Sequence, residues 1–238
     1  MIKKLIRELL IFLHLDLSKN LEYDRLTNLI LKKHLKSNSN CLDVGCHKGE
    51  ILDLMLALSP NGRHIGFEPL PDFFDNLKTK YENIATILPY ALSDQSGITQ
   101  FQYVKNDPAY SGIKKRKYAT ENPEVEQIEV QMKTMDDVVG EDKVDLVKID
   151  VEGGELAVMK GGKEVLKKNK PIVVFECGIG ASDYYGTTGN DVFKFLNDEV
   201  GLKLNTLKGF LKKGKPLTEA EFAGCFNSNR EYYFVAYP

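Results

Sequence analysis

The sequence predicts an α/β protein with a Rossmann-like, mostly parallel sheet and helices on both faces, and three observations lead there. Short, near-continuous apolar runs at residues 40–44, 63–68, 84–88, 144–150 and 171–176 have the pattern of strands buried on both faces. Helical periodicities stand between them, as right-handed crossovers between parallel strands require. Glycines and acidic residues gather just past several of these runs, at the strand ends where an open parallel sheet binds its ligands.

The elements follow in order. Helical patterns cover residues 2–15 and 21–36. The 40–44 strand leads through a glycine turn into a helix over 50–58, the 63–68 strand into a helix over 72–80, and 84–88 forms a third strand. Residues 98–104 and 127–132 alternate like antiparallel strands, and a polar loop over 105–126 separates them. A loop that long in a compact domain is more often functional than idle. The strand at 144–150 precedes one helix over 155–168, and the strand at 171–176 precedes a helix over 191–199. Strands at 202–207 and 232–237 close the chain. No repeat or low-complexity linker interrupts it, so the expected organisation is a helical extension over 1–36 and one domain over 37–238, with 98–139 inserted as a hairpin and lid.

Composition narrows the class. The 238 residues carry 32 basic and 34 acidic side chains, which argues against a dedicated nucleic-acid binder, whose affinity comes from a large basic excess. The balance is uneven: residues 1–36 hold eight basic and four acidic side chains. Cys41, Cys46, Cys177 and Cys225 form no CxxC pair and no zinc-finger spacing, which fits a reducing, cytoplasmic setting and no structural metal. The opening MIKKLIRELLIFLHL lacks the uninterrupted core and small-residue cleavage site of a signal peptide. It is expected to pack as an amphipathic helix; its alternative role is peripheral membrane contact through Lys3, Lys4 and Arg7.

The chemistry lies at the strand ends. In LDVGCHKGE (42–50), Gly45 permits a tight strand-to-helix turn and Gly49 an early helix start. The amides of such a turn can hold a carboxylate or phosphate, and Asp43 suits a ligand bearing an ammonium group. Glu68, 19 residues after Gly49, can accept both hydroxyls of a ribose, a pattern that fits NAD about as well as S-adenosylmethionine. Ser93 and Asp94, just past a strand, can bond an adenine amino group. In KIDVEGGE (148–155), Asp150 and Glu152 stand at period-two spacing among three carboxylates within six residues, which packing does not explain.

Together these residues resemble the FkbM family of S-adenosylmethionine-dependent methyltransferases, with the class I methyltransferase fold. The resemblance is carried by LDVGCHKGE (42–50), GFEPLP (66–71), ALSDQSG (91–97) and KIDVEGGELAVMKGG (148–162), with VVFECG (173–178) after them. The family more often shows a small residue and Asn where this chain has Cys46 and His47. The resemblance implies a seven-stranded sheet in which residues 232–237 form the antiparallel strand. It implies S-adenosylmethionine across the strand ends, with Asp43, Gly45 and Gly49 on its methionine part, Glu68 on its ribose, and Ser93 and Asp94 on its adenine. Cys46, His47, Pro69, Leu92 and Asp150 would border the same groove. It also implies methylation of a hydroxyl oxygen on a sugar, glycan or related secondary product.

Methyl transfer from a sulfonium asks the protein mainly for alignment and a base for the acceptor proton. Asp150 or Glu152 is the expected base or acceptor-binding group, with Glu176 behind them and Lys148 tuning a neighbouring carboxylate. The alternative is a divalent ion chelated by Asp150 and Glu152, disfavoured because no third ligand is obvious. Tyr110, Ser111, Lys114 and Lys115 in the polar loop, and Tyr184 after the fifth strand, are the expected acceptor contacts. Two rival functions stand beside this one. An NAD-dependent oxidoreductase is opposed by the missing GxGxxG and by the lack of a Tyr-x-x-x-Lys pair suited to hydride chemistry. A non-catalytic cofactor-binding module is opposed by the intact acidic strand ends.

Overall fold

The computed structural model describes residues 18–118 and 120–238. Its main sheet has seven strands: β1 (Cys41–Val44), β2 (His64–Phe67), β3 (Thr86–Leu88), β7 (Leu146–Ile149), β8 (Ile172–Glu176), β9 (Lys203–Thr206) and β10 (Tyr233–Tyr237). They lie in the order β3-β2-β1-β7-β8-β10-β9. The pairs from β3 through β8 are parallel, and β10 runs antiparallel to both its neighbours. From β1 the chain first builds outward through β2 and β3, then returns to place β7 on the other side. That reversal makes β1 and β7 the switch point, where an open parallel sheet leaves a crevice.

Strand alternation splits the core into two layers. On one face Leu42, Val44, Val147, Ile149, Val173, Phe175, Phe234 and Ala236 form a single apolar mass. It is covered by α5 (Glu155–Gly161), α6 (Lys163–Asn169), α7 (Gly189–Lys194) and α9 (Glu219–Ser228). The intervening residues point to the other face. There Cys41 and Leu146 meet α2 (Glu50–Leu58) and α3 (Pro71–Lys80), while Val174 and Val235 meet α1 (Lys19–His34) and α8 (Leu207–Leu211). Burial on both faces is why β1 and β7 read as unbroken apolar runs. The exceptions are Asp43 and Lys148, side by side in the register and both buried.

A second sheet holds β4 (Tyr90–Leu92), β5 (Gly97–Val104) and β6 (Val125–Lys133) in the order β4-β6-β5, with β5 and β6 antiparallel as their alternation predicts. The third strand is shorter than expected. It begins at Thr86, Ile84 is exposed, and Pro89, which has no N–H for a ladder, separates β3 from β4.

Three further differences have local causes. The single helix expected over 155–168 breaks at Gly161 and Gly162. A Cβ on Gly161 would lie 2.0 Å from the Ser93 carbonyl oxygen, so the helix pays for close contact with the strand-end turn by bending. The helix expected over 191–199 begins earlier, at Gly189 behind a Thr188–Asp191 capping box, and its last turn widens into a π-helix over Phe195–Val200. The helices α4 (Met135–Val139), α8 and α9 were not expected. All three start behind a threonine cap, and Thr218 with Glu221 forms a full capping box.

The expected helix over 2–15 lies outside the described residues. The one expected over 21–36 is α1, capped by Ser18 and packed through Tyr23, Leu26, Ile30 and Leu31. No helix among the described residues is long and apolar enough to cross a membrane. Since Ile30 is fully buried under α1, Ile30→Ala should cost about 2–5 kcal/mol in urea unfolding. A loss below about 0.5 kcal/mol, the range of surface substitutions, would mean that α1 is not part of the cooperative core.

Candidate functional site

A cleft of about 860 Å³ opens past the carboxyl ends of β1 and β7, within the size range of small-molecule sites. Its first wall is the turn after β1. Gly45 has φ +82°, and a Cβ there would sit 2.0 Å from the Asp150 carbonyl oxygen, so the β1 and β7 turns can touch only through a glycine. Four amides of this turn already have partners within the chain. Those of Gly45 and Cys46 both donate to the Phe67 carbonyl at 3.0 Å, that of Gly49 donates to Cys46 O, and that of His47 donates to the Glu68 carboxylate at 2.8 Å.

Gly49 also departs from expectation. It lies outside the cleft as the left-handed N-cap of α2, its carbonyl accepting from the Tyr81 hydroxyl at 2.7 Å. Cys46 lines the cleft as a buried thiol directed at the Asp43 carbonyl, and burial pushes it well above the ordinary thiol range. His47 is stacked on Phe73, and burial lowers its pKa.

Asp43 is the unusual group of this wall. Its side chain is 1 % exposed, and neither carboxylate oxygen has a hydrogen-bond partner. Burial pushes its carboxyl up to about 6 against the pull of Lys148. Glu68 is also buried and pushed up to about 7. Its two oxygens accept from the Leu70 and His47 amides, and each keeps a second lone pair. Farther along, Ser93 donates to Asp94 at 3.3 Å, and Pro69 and Leu92 complete the groove.

The opposite wall holds the acids of the β7 and β8 ends. Lys148 Nζ and the Tyr233 hydroxyl both donate to Asp150 Oδ2, at 2.8 and 2.6 Å. Burial alone would raise Asp150, yet the Lys148 ammonium and these hydrogen bonds hold it at about 2. Burial and the charges of Asp150 and Glu155 push the neighbouring Glu176 carboxyl, which is hydrogen-bonded to Asp150, well above its usual range. Glu152 takes φ +61° in the turn and forms an ion pair with Arg116, which removes it as a free base.

Asp150, Glu152 and Glu176 bring ligand oxygens within 4.8 Å of one another, so a third carboxylate, not evident from the sequence, completes a possible cation triad. A divalent ion would compete there with Lys148 and Arg116, which already match the two charges.

The loop between β5 and β6 folds back as a lid. Gly112 bridges to Gln102, Ser111 Oγ accepts from the Val104 amide, and the Lys114 amide donates to the Tyr185 hydroxyl at 3.1 Å. Arg116 donates to the Gly180 carbonyl and lies 5.0 Å from the centre of the Tyr110 ring. Tyr110, Ser111 and Lys114 therefore border the cleft, but Lys115 and Tyr184 do not: both are exposed outside it, and Arg116 and Tyr185 occupy the places expected of them. Tyr110 and Lys114 do have a Tyr-x-x-x-Lys spacing, but the Gly112 bridge lies between them and no helix aligns them. Sequence reasoning also passed over Tyr233 and the role of Glu155. Adjacent residues of like type (Tyr184 and Tyr185, or the run 114–117) give no signal that separates the inward one.

Glu155 braces the turn beneath the acids. Its Oε1 accepts the Val151 and Gly153 amides at 3.1 and 3.0 Å, while Oε2 is buried without a partner. Burial raises its carboxyl from 4.5 to about 7, so stability from this group is full below about pH 4.5 and is lost as pH rises through 7; Glu68 and Asp43 act in the same direction. Glu155→Gln keeps the accepting oxygen and removes the charge. It should be at least as stable as the parent at pH 8 and flatten the decline between pH 4.5 and 7. Glu155→Ala should cost about 2 kcal/mol or more by leaving two amides unpaired. Thermal melts across pH check both; equal damage from Gln and Ala would overturn the brace.

Comparison with known proteins places these features in a family. The methyltransferase FkbM domain matches residues 43–201, about two thirds of the chain, a span that includes both strand-end turns, the lid and Glu176. The methyltransferase sdnD of Sordaria araneosa is 27 % identical over 166 residues, 55 % of this chain and 63 % of that protein, so the match spans less than two thirds of the relative's length. The crystal structure of methyltransferase FkbM from Methylobacillus flagellatus KT superposes with a TM-score of 0.53 at 14 % identity, over 85 % of this chain and 44 % of that one, a likeness of fold. By the extent and position of the domain match, the chain belongs to the FkbM methyltransferase family.

Proposed function

We propose that this protein is an S-adenosylmethionine-dependent methyltransferase acting on a hydroxyl oxygen of a sugar, glycan or related secondary product. The observation that carries the reading is Asp43, a buried carboxylate with no hydrogen-bond partner facing the cleft behind the Gly45 turn. An unpaired buried carboxylate is costly, and a cationic ligand turns that cost into attraction. Glu68 has lone pairs left for two ribose hydroxyls, and Ser93 and Asp94 lie at the far end of the groove for the adenine. When bound, S-adenosylmethionine supplies an electrophilic methyl group on a sulfonium sulfur.

The remaining work falls to the chain. Asp150 presents a fixed anion, oriented by Lys148 and Tyr233, to which an acceptor hydroxyl can donate its hydrogen bond. A carboxyl held near 2 is a weak base, but it suffices because the hydroxyl proton becomes strongly acidic as its oxygen gains a third bond. The proton passes to the Asp150–Glu176 pair. Glu176 already holds one proton and acts by donating to Asp150.

Calorimetry with S-adenosylhomocysteine and with NAD tests the cofactor. The first should bind and the second should not; the reverse would return the oxidoreductase reading. Because Asp43 must be ionised to meet an ammonium group, affinity for S-adenosylhomocysteine should fall below about pH 6, by up to about tenfold per pH unit. Asp43→Asn should weaken binding and abolish that dependence.

Transfer of labelled methyl to extracts or glycans tests the chemistry. Asp150→Asn should lower kcat by about 10²–10⁴-fold. Glu176→Gln, which mimics the protonated state, should stay within a few-fold of the parent. A larger loss in Glu176→Gln than in Asp150→Asn would make Glu176 the base instead.

A further inference from the structure

We propose that the methyl acceptor carries an anionic group, a carboxylate or a phosphate, and that Arg116 is the residue that reads it; this rests on the methyl-transfer reading above. Arg116 belongs to a lid segment whose other cations, Lys114, Lys115 and Lys117, are all exposed, yet its own side chain is only 7 % exposed and lines the cleft. Burying a guanidinium is unfavourable unless its donors are met. Glu152 takes one arm, the Gly180 carbonyl takes the other, and the Tyr110 ring covers the face, but Nε stays buried with no acceptor. A buried donor left unpaired beside a cleft asks for an oxygen that the chain itself does not supply.

The charges around it point the same way. At the acceptor end Asp150 is matched by Lys148, Glu152 is matched by Arg116, and Lys114 stands on the same wall. A neutral hydroxyl compound would leave the buried Nε of Arg116 and the exposed Lys114 unused. An anionic one meets a planar fork suited to carboxylate and phosphate oxygens. Glu152 then serves as a positioning residue: it holds the guanidinium at the cleft, and its own charge is what an incoming anion has to compete with.

The test uses the full chain loaded with S-adenosylhomocysteine and three probes, glucose, glucuronate and glucose 6-phosphate, titrated by calorimetry or ligand-observed NMR. At least one anionic sugar should bind about tenfold or more tightly than glucose, a difference typical of a charged hydrogen bond, and the two anionic arms separate carboxylate from phosphate recognition. Arg116→Gln should erase the preference, Arg116→Lys should keep part of it, and Glu152→Gln should strengthen anion binding. Equal binding of all three probes, no binding of either anion at millimolar concentration, or a preference that survives Arg116→Gln would each overturn the proposal. Failure of the parent chain to bind S-adenosylhomocysteine would instead remove the methyl-transfer reading on which it rests.

Discussion

Lys148 is an ammonium group in the middle of a parallel sheet, and the arrangement of the cleft depends on it. Its side chain is buried beside Asp43 in the strand register and bonded to Asp150 at the strand end. Burial alone would strip its charge, but Asp150 and Asp43 outweigh burial and raise its pKa. One cation thereby keeps Asp150 ionised and lessens the cost of Asp43, and the ionised Asp150 in turn raises Glu176. Removing a partner from such a buried set leaves uncompensated charge, so the site is kept as a unit rather than residue by residue.

This unit divides the cleft by charge. On the β1 and β2 side, burial raises the Asp43 and Glu68 carboxyls to about 6 and about 7 and leaves Asp43 without a hydrogen-bond partner. On the β7 and β8 side, Asp150 and Glu152 are already matched by Lys148 and Arg116. The two ends touch at one place, where Gly45 meets the Asp150 carbonyl. A turn without a Cβ is therefore a condition for joining them, and the Glu155 brace fixes the second turn with the same economy of backbone.

Rigid and adaptable parts are separated in the usual way for α/β folds. The charged groups of the cleft stand on strand ends with helices on both faces, while the β7 and β8 side is closed by a loop held through Tyr185, Glu152 and the Gly180 carbonyl. Such loops can vary without disturbing the sheet that carries them.

Much of the scaffold was legible in the sequence, because local rules govern it. Apolar runs at 40–44, 144–150 and 171–176 are strands because both faces are buried, and the 98–104 and 127–132 alternation is a hairpin because one face is not. The Asp43, Glu68, Asp150 and Glu176 positions were also marked, since each is a carboxylate at or near the end of an apolar strand run. What each acid does could not be read there. Glu152 and Asp150 are alike in sequence, but a lid cation from 36 residues away neutralises one, and a lysine two residues away with a tyrosine 83 residues away holds the other. Choosing Arg116 over Lys115, or Tyr185 over Tyr184, likewise needed the loop's path. Sequence determined the elements and the chemical types at their ends, because propensity and burial pattern act over a few residues. Only the tertiary structure decided which charges are matched and which stay open, because electrostatic partners are set by distance through space.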